Sequence, residues 1–143
     1  RVALTDTYTT DVFFRTFNKY YAKLLDGIRQ DSGCPFEFAD KAIKHYEKLD
    51  IETEEKTIIF SDGLNPDKAI DIRNHCGSYI KCVTAIGTNL TNDFGATPMN
   101  MVIKLTDVFM NDEWKPTVKL SDSIGKNTGP EDEIQLCKQS LRI

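Results

Sequence analysis

The sequence predicts an α/β fold built from parallel β/α units, followed by a β-hairpin and a C-terminal helix. Three observations carry that prediction. Short apolar runs alternate with stretches of helical period, four of those runs end in polar clusters at similar intervals, and the alternation stops after residue 98. Two parallel strands need a crossover between them, so this alternation is the pattern a parallel sheet leaves in a sequence.

The first unit is "VAL" followed by "TTDVFFRTF". In the second, "LLDGIR" leads to "PFEFADKAIKHYEKL", where Phe36, Phe38, Ala39, Ala42, Ile43, Tyr46 and Leu49 recur at intervals of three and four as one apolar stripe. Pro35 suits the first turn of that helix. The third pairs "KTIIF" with "NPDKAIDIRNHC". There Asn65 is placed to cap the helix, Pro66 to occupy its first position and Gly77 to stop it. The fourth run, "YIKCVTAIG", gives way to polar residues.

Beyond residue 98, "NMVIKLTDVFMNDEWKPTVKLSD" reads as two β runs joined near "NDEW", and "GPEDEIQLCKQSLR" as a terminal helix with an acidic first turn. No Pro/Gly-rich linker interrupts the chain. Residues 1–97 are therefore expected to form the β/α portion, and 98–143 a hairpin and helix packing on the same body.

Composition narrows the function. Net charge is −4, with 18 Lys and Arg spread among 22 Asp and Glu. A chain without a basic block lacks the footprint of a nucleic-acid binder. No apolar stretch is long enough to cross a bilayer, and the first residues lack the layout of a secretion signal, so a cytoplasmic location is expected. The chain starts at Arg1 and runs at once into Val2-Ala3-Leu4, as if cut from something longer. Cys34, Cys76, Cys82 and Cys137 form no C-x-x-C pair and read as reduced structural thiols. His45 and His75 lie inside helical stretches away from the strand ends, where a general base would have to stand. Asn89-Leu90-Thr91 fits a glycosylation pattern that has no secreted context to support it.

The strand ends are the functional signal. They read Thr5-Asp6-Thr7, Arg29-Gln30-Asp31-Ser32-Gly33, Ser61-Asp62-Gly63 and Gly87-Thr88-Asn89, with Asp6, Asp31, Asp62 and Thr88 spaced by 25, 31 and 26 residues. Such steps suit successive barrel units, whose strand-to-helix loops build a shared site on one face. Carboxylates there accept ribose hydroxyls or hold Mg²⁺ through oxygen, and backbone N–H groups beside a glycine receive phosphate. Each residue also has a purely structural reading. Asp62 is a candidate helix cap, Gly33 and Gly63 candidate turn glycines, and Arg29 a candidate salt-bridged rim residue.

"ALTDT", "RQDSGCPFEFADKAIKHYEKL", "FSDGLNPDKAI", "AIGTNLTNDFG", "MNMVIKL" and "KLSDSIGK" together resemble the nicotinate phosphoribosyltransferase family of type II phosphoribosyltransferases, in the family's order. The resemblance runs from Ala3 to about Lys126 and corresponds to the C-terminal part of a longer protein. It implies part of an incomplete (β/α) barrel that joins nicotinate to 5-phosphoribosyl-1-diphosphate in NAD salvage, with Mg²⁺ and coupled ATP hydrolysis. Carried onto this sequence, it places Arg29 at the base or diphosphate and Asp31 at the ribose, with Ser32 and Gly33 beside them. Asp62 and Gly63 would meet ribose hydroxyls or the Mg²⁺-bound diphosphate, Asp31 and Asp62 being the metal-facing carboxylates. Gly87 and Thr88 would cradle the 5′-phosphate, and Thr5 and Asp6 would line the wall near the base.

The resemblance also implies a homodimer and a missing N-terminal part of the enzyme that closes the nicotinate pocket. The family's phosphorylated histidine has no counterpart in this chain, and Cys34 stands where an aspartate often follows "DSG". The competing expectation is a non-enzymatic mononucleotide- or phosphate-binding module derived from such a barrel. An open half barrel would leave strand edges exposed.

Overall fold

A computed structural model describes residues 1–99, 101–123 and 125–143. Asn100, at the start of the expected first hairpin run, and Ile124, inside "KLSDSIGK", lie outside the described residues. Four strands, β1 (Val2–Leu4), β2 (Gly27–Gln30), β3 (Thr57–Phe60) and β4 (Lys81–Thr84), form one sheet in sequence order, and every neighbouring pair is parallel. Their C-terminal ends therefore share one side, as the alternation of segments requires.

The crossovers are helical. α1 (Thr10–Thr16) and α2 (Lys19–Leu24) join β1 to β2, α3 (Pro35–Lys48) joins β2 to β3, and α4 (Pro66–Cys76) joins β3 to β4. α2 corrects the sequence reading, in which "LLDGIR" was one apolar run. The Asn18 side chain accepts from the N–H groups of Tyr20 and Tyr21 and starts a new helix, so Leu24 ends α2 and the strand begins only at Gly27. Gly27 is required there. A Cβ at that position would collide with the Thr57 carbonyl, whose carbon would stand 2.9 Å away.

The register sorts side chains onto two faces. Ala3, Ile28, Ile58 and Cys82 form one row, and Ile28 and Ile58 are fully buried under α3 and α4 together with Phe38, Tyr46, Phe60 and Ile72. Leu4, Arg29, Ile59 and Val83 form the alternating row, on which Leu4, Arg29 and Val83 are exposed. Successive strand residues point to opposite faces, and helices cover only one of them. Among the described residues β1 and β4 each pair on one side only, which leaves the two edges that the sequence led us to expect.

The end of the chain follows the sequence reading. β5 (Asp107–Met110) and β6 (Glu113–Pro116) form an antiparallel hairpin turned by Asn111 and Asp112, both at positive φ (53° and 62°), as a two-residue hairpin loop demands. Phe109 and Trp114 pack across it at 5.4 Å between ring centroids. The hairpin is largely exposed; the residues after it touch the parallel sheet. Leu120 is buried and donates its N–H to the Thr7 carbonyl at 2.8 Å. A short turn, α5 (Thr88–Thr91), follows β4, and α6 (Glu131–Leu141) closes the chain behind Glu131, Asp132 and Glu133 in its first turn.

Candidate functional site

The second strand end is the most strongly built. Gln30, buried at the tip of β2, donates both amide hydrogens to backbone carbonyls of the loop that follows, at 2.8 Å to Ser32 and 3.0 Å to Gly33. With Gly33 at φ +79°, this clamp folds the loop back and sets Ser32 against the end of β1. There the Ser32 hydroxyl donates to Asp6 Oδ2 at 2.9 Å. Asp6 is 2% exposed, its Oδ1 has no hydrogen-bond partner among the described residues, and Lys119 Nζ approaches Oδ2 to 3.6 Å. Thr5, also buried, donates its hydroxyl to the Arg29 carbonyl at 3.0 Å, locking the ends of β1 and β2 together.

Arg29, Asp31 and Ser61 form a second group. Arg29 Nε donates to Ser61 Oγ at 2.9 Å and its Nη2 to Asp31 Oδ1 at 3.3 Å, while Ser61 Oγ stands 2.8 Å from the same carboxylate oxygen. The ion pair is half-exposed and adds little stability, but the serine wedged into it aims the carboxylate. Ser61 was not singled out as a ligand in the sequence, although it opens "SDG".

Asp62 is not a helix cap. α4 is capped by Asn65, whose side chain accepts from the Lys68 N–H at 2.8 Å, so Asp62 is left free to face the site. Gly63 (φ +57°) and Gly33 both adopt left-handed backbone and open onto space, consistent with their turn readings.

Asp6, Asp31 and Asp62 line one cavity of about 480 Å³. Lys104, Lys119 and Lys126, with Ser121, line the same cavity. A second cavity of about 480 Å³ adjoins it through Asp31, Lys104 and Lys119. The three lysines sit in "MNMVIKL" and "KLSDSIGK", stretches that carry the family resemblance but lie at no strand end of the β/α units. Their signal was faint because they lie beyond the β/α units, where strand-end logic does not apply. Gly87 and Thr88 are exposed and are not among the residues lining this cavity; Gly87 has φ −92° and Thr88 begins the four-residue α5.

The groups read as structural behave so. His45 Nε2 meets the Phe17 carbonyl at 2.7 Å and His75 Nε2 meets Asp40 at 2.8 Å, both away from the strand ends. All four cysteines are free. Burial, with Cys82 beside it, pushes the Cys76 thiol up to about 12, so it stays protonated. Cys34 departs from the structural reading: it is exposed at the start of α3. Among the described residues no group of three or more His, Cys, Asp or Glu side chains forms a metal site, and no helix is long and apolar enough to cross a membrane.

Carboxylates at the strand ends of a parallel α/β sheet, sharing a cavity with lysines, form a pocket whose chemistry suits a polyanionic, hydroxyl-bearing ligand. The chain belongs to the nicotinate phosphoribosyltransferase (NAPRTase) family, whose model matches residues 1–143. It is 53% identical over 142 residues to a nicotinate phosphoribosyltransferase of Desulforapulum autotrophicum, covering 98% of this chain and 36% of the relative. A counterpart from Chromohalobacter salexigens is 50% identical over 143 residues, covering 99% of this chain and 37% of the relative. The crystal structure of nicotinate phosphoribosyltransferase from Porphyromonas gingivalis superimposes with a TM-score of 0.93 at 48% identity, over 99% of this chain and 38% of that one. The chain thus spans little more than a third of the length of these relatives.

Proposed function

We propose that this chain carries the strand-end half of a nicotinate phosphoribosyltransferase site, which forms nicotinate mononucleotide and diphosphate from nicotinate and 5-phosphoribosyl-1-diphosphate. The observation that carries the reading is that Asp6, Asp31 and Asp62 share one cavity with Lys104, Lys119 and Lys126 at the ends of parallel strands. A phosphoribosyl diphosphate has both faces that such a cavity matches, hydroxyls for carboxylates and phosphates for ammonium groups.

In the reaction the C1–O bond to diphosphate breaks, its electron pair leaves with the diphosphate, and the ring nitrogen of nicotinate forms the new bond to C1. The ribose passes through an oxocarbenium-like state. Asp31, aimed by Ser61 and Arg29, and Asp62 place negative charge near that developing cation. Lys104, Lys119 and Lys126 hold the departing diphosphate. These groups stand in place before the reaction, so their electrostatic stabilisation needs no reorganisation as charge develops. Asp6, with its unpartnered Oδ1, supports the reading of this wall as the one near the base.

The residues fit Mg²⁺. Asp31 and Asp62 offer hard oxygen ligands in one cavity, the ligand type that Mg²⁺ takes alongside phosphates and water. When bound, Mg²⁺ would neutralise leaving-group charge. ATP is the further co-substrate, acting through residues that this chain does not carry. Gly87 and Thr88 would receive the 5′-phosphate on a second wall. Residues 1–97 supply the carboxylates and 98–143 the lysines. The sheet edges at β1 and β4 and the uncovered Leu4, Arg29 and Val83 support association with further barrel strands, in a cytoplasmic enzyme that works as a homodimer.

The test is nicotinate mononucleotide formation from nicotinate, phosphoribosyl diphosphate, Mg²⁺ and ATP by the protein as purified, with intact mass recorded for any co-purifying chain. Turnover supports the assignment. Mononucleotide binding without turnover, in the presence of every chain that co-purifies, refutes it in favour of a binding module.

A further inference from the structure

We infer that Asp122 is a positioning residue that holds Lys119 against Asp6; the inference rests on the functional reading above. Asp122 does not line the cavity shared by the three carboxylates and three lysines. It faces a separate cleft of about 200 Å³ together with Thr10, Ser32 and Lys41. Whatever it contributes to the site must pass through neighbours.

Those neighbours are well defined. Asp122 Oδ1 accepts the Thr10 backbone N–H at 2.9 Å and Oδ2 accepts the Thr10 hydroxyl, which fixes the carboxylate at the start of α1. The same Oδ2 lies 3.4 Å from Ser32 Oγ, whose nearer acceptor is Asp6 Oδ2 at 2.9 Å. A serine hydroxyl has one proton, so it donates to the nearer carboxylate and the farther one limits where the oxygen can move. Asp122 also anchors its own segment. Lys119 pairs with Thr128 through two backbone bonds of 3.0 and 2.8 Å, and Leu120 N–H is bound to the Thr7 carbonyl. Asp122 adds the third attachment, three residues beyond the lysine that reaches Asp6.

Asp6 depends on both of these supports. It is buried, and among the described residues its Oδ1 is unpartnered and its Oδ2 is met by Ser32 and Lys119. Loss of the Asp122 carboxylate therefore releases a strap that sets a cavity lysine, without removing any group that touches the ligand. The isosteric Asp122→Asn keeps a carbonyl oxygen for the Thr10 N–H and retains most of the strap.

The experiment pairs a chemical readout with a kinetic one, on the protein as purified with any co-purifying chain. Acetic anhydride labelling of Lys119, normalised to the exposed Lys48 on α3, should rise about threefold or more in Asp122→Ala, the scale expected when a modest coupling between neighbours is lost. KM for phosphoribosyl diphosphate should rise about tenfold with kcat changed much less, as for loss of ground-state positioning of the anionic donor. Asp122→Asn should restore most of both changes. If Asp122→Ala fails to fold, Thr10→Val, which removes only the hydroxyl donor, should move Lys119 labelling in the same direction. Unchanged Lys119 labelling in the folded variant, or equal effects of Asn and Ala, would overturn the inference. If the unsubstituted protein shows no turnover, the functional reading fails by itself, and the labelling still decides the role of Asp122.

Discussion

Replacing Gln30 with leucine tests the framework that holds the site, because one buried amide folds the whole loop after β2. Leucine is close to glutamine in size, so the packing around Ile28 and Phe60 survives while both donated hydrogens vanish. The Ser32 carbonyl, 2.8 Å from the amide nitrogen, and the Gly33 carbonyl, 3.0 Å from it, are left without that partner. An orphaned buried acceptor costs about 1–3 kcal/mol, and the Gly33 carbonyl is only partly buried, so the sum is about 2–4 kcal/mol. The Gln30 carbonyl oxygen has no partner of its own, and removing it returns a fraction of that cost. For a cooperative unit of this length each kcal/mol moves the midpoint by about 3 °C, which gives a fall of about 6–12 °C. The assay is thermal unfolding followed by circular dichroism, together with amide exchange at Ser32 and Gly33. A melting temperature within 2 °C of the parent, with unchanged exchange in that loop, would refute the view that Gln30 is what folds it.

Gly27→Ala should cost about 3 kcal/mol or more, the upper range for overpacking, because its Cβ would meet the Thr57 backbone rather than a side chain that can turn away. Stability near the parent's in a denaturant titration would contradict the close approach of β2 and β3. Tyr46 is buried, its hydroxyl has no partner, and burial pushes its phenol up to about 12. The folded state thus keeps a proton that the unfolded chain releases near 10, so this contribution is complete below pH 10 and is lost as pH rises toward 12, at about 1.4 kcal/mol per unit. Tyr46→Phe should abolish that alkaline loss and leave neutral-pH stability unchanged or higher by about 1 kcal/mol; a variant with the parent's alkaline slope would show that another group causes it. Asp62→Asn should reduce turnover by about a hundredfold or more while moving the melting temperature by less than about 2 °C, since Asp62 caps no helix. Full activity at normal stability would remove Asp62 from the site.

Much of this molecule was legible in its residues. The period-three-and-four stripe from Phe36 to Leu49, the Asn65-Pro66 start and Gly77 stop of α4, and the turn at Asn111-Asp112 are local signals, decided by side chains within a few positions of one another. The same holds for the parallel order, because alternating strand and helix segments admit few other arrangements. The recurrence of Asp6, Asp31 and Asp62 at strand ends followed from that order without knowledge of any contact.

Other features required the folded chain. "LLDGIR" could not reveal where α2 ended and β2 began, since Leu24 and Leu25 suit either element and only the Asn18 cap divides them. Whether Asp62 capped a helix or lined a cavity depended on Asn65 taking the cap first. The lysine wall was illegible for a physical reason. Lys104, Lys119 and Lys126 lie far along the chain from Asp6, Asp31 and Asp62, and a charge carries no sequence pattern that names its distant partner. Local propensity and hydrophobic period determined the elements and the side of the sheet on which the polar ends gather. Only tertiary packing, such as the bond from Leu120 N–H to the Thr7 carbonyl, brought those lysines to the cavity that the carboxylates line.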